Sequence, residues 1–94
     1  MPVRSKRQID RALRKKGFER SDRHHVFYCL MINGDRTEIF TKMSHGRAEI
    51  GVDLIARMAR QCRLSKDEFL RLIDCPMTES EYVETLESRG HLIR

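Results

Sequence analysis

Tryptophan is absent from this chain, and the aromatic residues number only four Phe and two Tyr. With an apolar share of 39%, the 94 residues can bury only a small core and make one domain. Cysteine is scarce: Cys29, Cys62 and Cys75 are odd in number, and none is spaced as CxxC. That excludes a disulfide framework and fits a reducing compartment. No apolar run reaches the roughly 18 residues that a membrane span needs. Met1-Pro2-Val3-Arg4 offers no apolar signal-peptide core, so the expectation is a soluble cytoplasmic protein. There is no internal repeat, no low-complexity linker, no glycine-rich phosphate loop and no paired-carboxylate pattern. Nothing in the chain calls for a cofactor.

Charge is plentiful and unevenly placed. Charged residues are 35% of the chain and the net charge is +5. Residues 1–23 hold nine Lys/Arg against three Asp/Glu, whereas residues 65–94 hold four against seven. A basic front and an acidic tail point to a polyanionic partner at the front, nucleic acid first. The alternative is ordinary solvated helix surface.

The strongest local signal is the stretch 24–43. Val, Phe, Tyr, Leu and Ile crowd its first arm, and Thr, Ile and Phe recur in the second. Asn33-Gly34 between them supplies the two positive-φ residues of a type I′ hairpin turn. With that turn, Leu30 is expected opposite Thr37, Tyr28 opposite Ile39 and Phe27 opposite Phe40. Alternation gives one apolar face (His24, Val26, Tyr28, Leu30, Ile32, Ile39, Met43). The mixed face carries His25, Phe27, Cys29, Met31, Arg36, Glu38, Phe40 and Lys42.

Helices flank the hairpin. Ser5 with Gln8 reads as a capping box opening a first helix that Gly17 ends. Ile9, Ala12, Leu13 and Lys16 share its inner stripe, and Arg7, Arg11, Arg14 and Lys15 its outer face. Phe18–Arg23 is either a short edge strand or the loop into the hairpin. A second helix is expected from about Ala48 to Cys62, on the four-residue spacing of Ile50, Leu54, Met58 and Cys62. Ser65 with Glu68, stapled by Leu64 and Phe69, opens a third. Thr78 with Glu81, stapled by Met77 and Tyr82, opens a fourth. Ser88–Arg94 is expected to fray.

Chemistry concentrates at one end of the hairpin, where His24 and His25 open it and His45 lies just past its close. Adjacent strand residues point to opposite faces, so the two histidines cannot share one job. An imidazole titrating near 6.5 beside Arg23 and Lys42 is the minimum for metal-independent cleavage at a ribose 2′-hydroxyl. The alternative is a pair of polar strand-end residues. A metal site from His24, His25, Cys29 and His45 fits no zinc spacing. Cys29 in mid-strand and Cys62 on an apolar stripe read as structural thiols.

Taken in order, Lys15-Lys16-Gly17-Phe18, His24-His25-Val26-Phe27, the hairpin, Thr41-Lys42-Met43-Ser44-His45-Gly46 and the Ile50–Cys62 helix resemble the HicA (YcfA-like) family. These are small mRNA-interferase toxins of type II toxin–antitoxin systems. The resemblance covers about Ser5 to Leu64. It implies an α+β fold of order α-β-β-β-α, similar to a double-stranded-RNA-binding domain, over residues 1–64. Residues 65–94 are then a C-terminal helical extension packed on the same domain. It also implies that Phe18–Arg23 is the first strand. His24 takes the catalytic place of the family's Gly-Ser-His-x-x-aromatic motif, and Phe27 takes the aromatic one. Asp22 and Arg23 stand where the family has Gly and Ser; Asp22 would either hold the imidazole tautomer or repel a phosphate. Lys15, Lys16, Arg23, Lys42 and His45 are the candidate RNA-binding residues. The implied partners are mRNA and a HicB-like antitoxin. Residues 65–94 would pad the core, mediate self-association into a homo-oligomer or bind that partner. A non-catalytic double-stranded-RNA-binding module and a protein-interaction domain are the other readings of the same fold.

Overall fold

The most apolar segment of the chain becomes the central strand of its sheet. In the computed structural model, which describes residues 3–22, 25–43, 49–74 and 76–92, strand β3 (Val26–Ile32) lies between β2 (Phe18–Asp22) and β4 (Asp35–Met43), antiparallel to both. Phe18–Asp22 is thus a strand, at the sheet edge. Asn33 (φ 53°) and Gly34 (φ 84°) make the hairpin turn with both central residues at positive φ, as a type I′ turn requires.

The hairpin register differs from the expectation. Ile32 faces Asp35 and Met31 faces Arg36, but beyond them Cys29 faces Phe40, Tyr28 faces Thr41 and Phe27 faces Lys42. A bulge sets Thr37, Glu38 and Ile39 against Leu30 alone. Thr37 stabilises it, its hydroxyl donating to the Leu30 carbonyl (2.8 Å) and accepting from the Ile39 amide (3.2 Å). The offset is even, so the two faces survive it. Phe18, Val26, Tyr28, Leu30, Ile39, Thr41 and Met43 are buried on one face, while Phe27, Cys29 and Met31 are half-buried and Phe40 and Lys42 exposed on the other.

The helices lie against the buried face. Helix α1 (Lys6–Lys15) presents Ile9, Ala12 and Leu13. Its Ser5 cap accepts from the Gln8 amide (3.1 Å), but the Gln8 side chain reaches Asp74 instead of closing a capping box. Helix α2 (Val52–Gln61) starts later than expected. Glu49–Ile50 is instead a two-residue strand, β5, paired with β1 (Arg4–Ser5), and Gly51 is the helix cap. Ala48, the expected first residue of α2, lies outside the described residues. Helices α3 (Lys66–Ile73) and α4 (Glu79–Ser88) begin with full capping boxes, Ser65/Glu68 and Thr78/Glu81. Beyond α4, Gly90 takes a positive φ, the His91 amide donates to the Leu86 carbonyl, and Leu92 packs against the core. The chain stays tied down through Leu92 instead of fraying from Ser88.

Residues 65–92 belong to the same core. Phe69, Leu72, Ile73, Tyr82 and Leu86 join Ile9, Leu13, Leu30 and Ile55 in one buried cluster. Tyr82 stacks on Phe18 (5.9 Å between centroids) and donates to the Cys62 carbonyl at the end of α2 (2.9 Å). The result is a compact α+β domain. No helix among the described residues is long and apolar enough to cross a membrane.

Lys16 closes this arrangement. It is 3% exposed, and its ammonium donates to the Leu72 carbonyl (3.2 Å) and to that of Met77. One charge therefore ties the end of α1 to the end of α3 and the approach to α4. Hydrogen bonds from a charged donor are worth about 1.5–3 kcal/mol, so Lys16→Met should lower stability by about 2 kcal/mol in urea denaturation. Lys15→Met, at an exposed position, should stay within about 0.5 kcal/mol of the parent. Equal losses from the two variants would contradict this assignment.

Candidate functional site

The end of the sheet opposite the hairpin turn is where α1, β2, β3 and β4 converge. Asp22, Val26 and Met43 form its last rungs, Val26 pairing with both of the others. An open cleft of about 320 Å³ sits here, lined by Lys6, Arg7 and Asp10 of α1 and by Arg20, Val26, Tyr28 and Met43 of the sheet.

A polar network forms the cleft wall. The Asp10 carboxylate accepts from the Tyr28 hydroxyl (2.6 Å) and from Arg20 (2.8 Å), with Arg14 at 3.4 Å. Arg20 also grips Asp22 through two nitrogens (2.9 and 3.3 Å). Burial pushes the Asp10 carboxyl up, but the bonds from Tyr28, Arg20 and Arg14 outweigh it and hold the group below the usual carboxylate range. Burial first, then the bond to Asp10, drives the Tyr28 phenol well above its usual value. Arg20 is thus a fixed cation between two acids, and Asp22 is matched by it. Arg7, Arg11 and Lys15 stand exposed along α1 and enter no ion pair among the described residues.

A second feature lies on the uncovered face of the sheet. His25, Phe27 and Phe40 form a row, with ring centroids 6.3 Å apart at each step. Phe40 is 49% exposed in mid-strand. Beside this row is a groove of about 400 Å³ that reaches Ser21, Cys29, Arg36 and Thr37.

Comparison with protein-family models, with curated proteins and with solved structures finds no match for this chain.

The candidate residues read from the sequence separate into three sets. His24, Arg23 and His45 lie outside the described residues, as does Cys75. Asp22 and Val26, which bracket 23–25, are a paired rung, and Val26 lines the cleft. Lys15 and Lys42 are exposed, Lys15 on the last turn of α1 and Lys42 opposite Phe27. Lys16 is the correction. It is buried and spent on backbone carbonyls, so it offers no charge to a phosphate. Its place on the Ile9–Ala12–Leu13 stripe already marked it as inward. Arg20, Asp10, Tyr28, Lys6 and Arg7 were missed as a group. Asp10, the lone acid of α1, and the Arg20/Asp22 alternation on one strand face were the available signals.

The chain has two tyrosines, and both hydroxyls are held protonated, that of Tyr82 also by burial first. Tyrosinate absorbance of the folded protein should therefore stay flat as the pH rises through about 10, and appear with a midpoint near 10 once urea unfolds the chain. A tyrosine ionising near 10 in the folded protein would show that the Tyr28–Asp10 bond or the Tyr82 burial is absent.

Proposed function

We propose that this chain is an RNA-directed, HicA-like mRNA interferase of the cytoplasm, with His24 as its catalytic group. The observation that carries the reading is the cationic cleft at the end of the sheet. Lys6, Arg7 and Arg20 line it together with Asp10, and so does Val26, two residues after His24 in the sequence. Apart from the two-residue β5 between β4 and α2, the order α1-β2-β3-β4-α2 agrees with the α-β-β-β-α arrangement of the family and of double-stranded-RNA-binding domains.

The chemistry needs few groups. His24 takes the proton from a ribose 2′-hydroxyl, and the 2′-oxygen attacks the adjacent phosphorus. The bond from phosphorus to the 5′-oxygen breaks, leaving a cyclic phosphate, and the departing oxygen receives a proton from an acid such as the imidazolium. No metal is required for this step. Exposed cations on α1 (Arg7, Arg11, Lys15), with Lys42, Arg23 and His45, position the strand through phosphates without reading bases. Arg20 matches the charge of Asp22, which answers the phosphate repulsion that an acid in the Gly place would otherwise bring. A HicB-like antitoxin covering this cleft is the protein partner of the reading.

Expression of the chain should arrest growth and degrade mRNA, and His24→Ala should lower RNA cleavage by at least about a hundredfold, the usual contribution of a positioned general acid or base. Binding of the same RNA should persist in that variant and fall steeply with added salt. Undiminished cleavage by His24→Ala would remove His24 from the mechanism. Salt-dependent binding with no cleavage by the parent chain would leave a non-catalytic RNA-binding module.

A further inference from the structure

The uncovered face of the sheet combines an aromatic row with a balanced set of charges. Phe40 is half exposed in the middle of β4, a position where the other apolar residues of the strand are buried. Its ring, that of Phe27 and the imidazole of His25 form a continuous strip. Around the strip stand Glu19, Glu38, Arg36 and Lys42, two of each sign, with Arg36 and Glu19 3.6 Å apart.

We infer that this face is a stacking platform for the unpaired bases of single-stranded RNA. The inference rests on the RNA reading above and adds the form of the RNA. Base faces are uncharged and flat, and they stack on exposed aromatic rings with little regard to sequence. A charge-balanced aromatic strip suits them. A duplex presents phosphates and 2′-hydroxyls and hides its base faces, so it would call for cations here, which the face does not supply in excess. The cations lie elsewhere, along α1 and in the cleft at the end of the same sheet. Phosphates and bases thus have separate places, the first on α1 and its cleft and the second on the opposite face of the sheet. Lys42, opposite Phe27 across the strands, is the exposed cation next to the strip.

A second copy of the chain or a protein partner fits less well. A half-exposed Phe offers on the order of 100 Å². Phe27, Cys29 and Met31 beside it are already half-buried. A stable protein interface takes about 800 Å² from each partner.

The chain lacks Trp, so Phe40→Trp in the full-length protein places a single reporter on the strip. The probes are a short 2′-O-methyl oligonucleotide, which cannot be cleaved, and the same strand annealed to its complement. The single strand should quench the introduced indole and bind more tightly than the duplex. Phe40→Ala and Phe40→Leu should both weaken single-strand binding, between about fivefold and a hundredfold, because each removes the ring. Duplex affinity should be unchanged. Single-strand binding that both variants retain in full would overturn the inference while leaving the RNA reading intact. Retention by Phe40→Leu alone would mean apolar packing, not stacking, and would also overturn it. No binding of either form by the parent chain at low salt would overturn the RNA reading and this inference with it. An indole emission that shifts with protein concentration alone would assign the face to self-association.

Discussion

Three strands present two faces, and the apolar side chains of this chain suffice for one. Phe18, Val26, Tyr28, Leu30, Ile39 and Met43 alternate with polar or half-buried neighbours, so the sheet has an inside and an outside before any helix docks. A bulge of an even number of extra residues preserves that division, where an odd one would have reversed the end of β4 that carries Met43. Helices α1 and α2 pack on the inner face, with α3 against both of them and α4 anchored by Tyr82 on Phe18. The uncovered aromatic strip follows from the same constraint.

Within this layered core the polar contacts fix orientation more than they add stability. A typical internal hydrogen bond is worth about 1 kcal/mol net, but leaving a buried partner unmatched costs about 1–3 kcal/mol. Each contact joins one element to another. Asp10 joins α1 to the sheet through Tyr28 and Arg20, and Thr41 joins β4 to Gln61 at the end of α2 (2.6 Å). Arg4 joins β1 to Asp74 at the end of α3 (2.7 Å). Lys16 holds the carbonyls of Leu72 and Met77. No buried side-chain polar atom among the described residues lacks a partner. Helix α1 thus divides its cations by position, Lys16 at its end turned inward to hold the fold, and Arg7, Arg11 and Lys15 exposed.

Local chemistry made much of this legible beforehand. Asn33-Gly34, Ser65/Glu68, Thr78/Glu81 and Gly17 carry their conformations in two to four residues, and each is found as read. The alternation of residues 26–43 disclosed the faces. Events that depend on distant residues were hidden. The pairing of Glu49–Ile50 with Arg4–Ser5 spans most of the first half of the chain, and its apolar Ile50 continues the helical spacing of Leu54 and Met58. The bulge at Thr37 is a side-chain hydroxyl replacing ladder bonds, which alternation does not reveal. The Asp10–Tyr28–Arg20 network joins three elements, so no single window contains it. Of the candidate site, Lys15 and Lys42 lie on the surface. Lys16 was misassigned because its charge was weighed above its helical phase.

Two surfaces of one small sheet carry the RNA reading, cations on and beside α1 for phosphates and a ring strip on the opposite face for bases. Amide chemical-shift mapping of the labelled protein with a single-stranded 2′-O-methyl oligonucleotide tests it most directly. The account predicts that the shifts gather on the outer side of α1, on Arg20–Tyr28 and on Phe40–Met43, and that they shrink as salt is raised. Shifts confined to α3 and α4, or none at low salt, would contradict it.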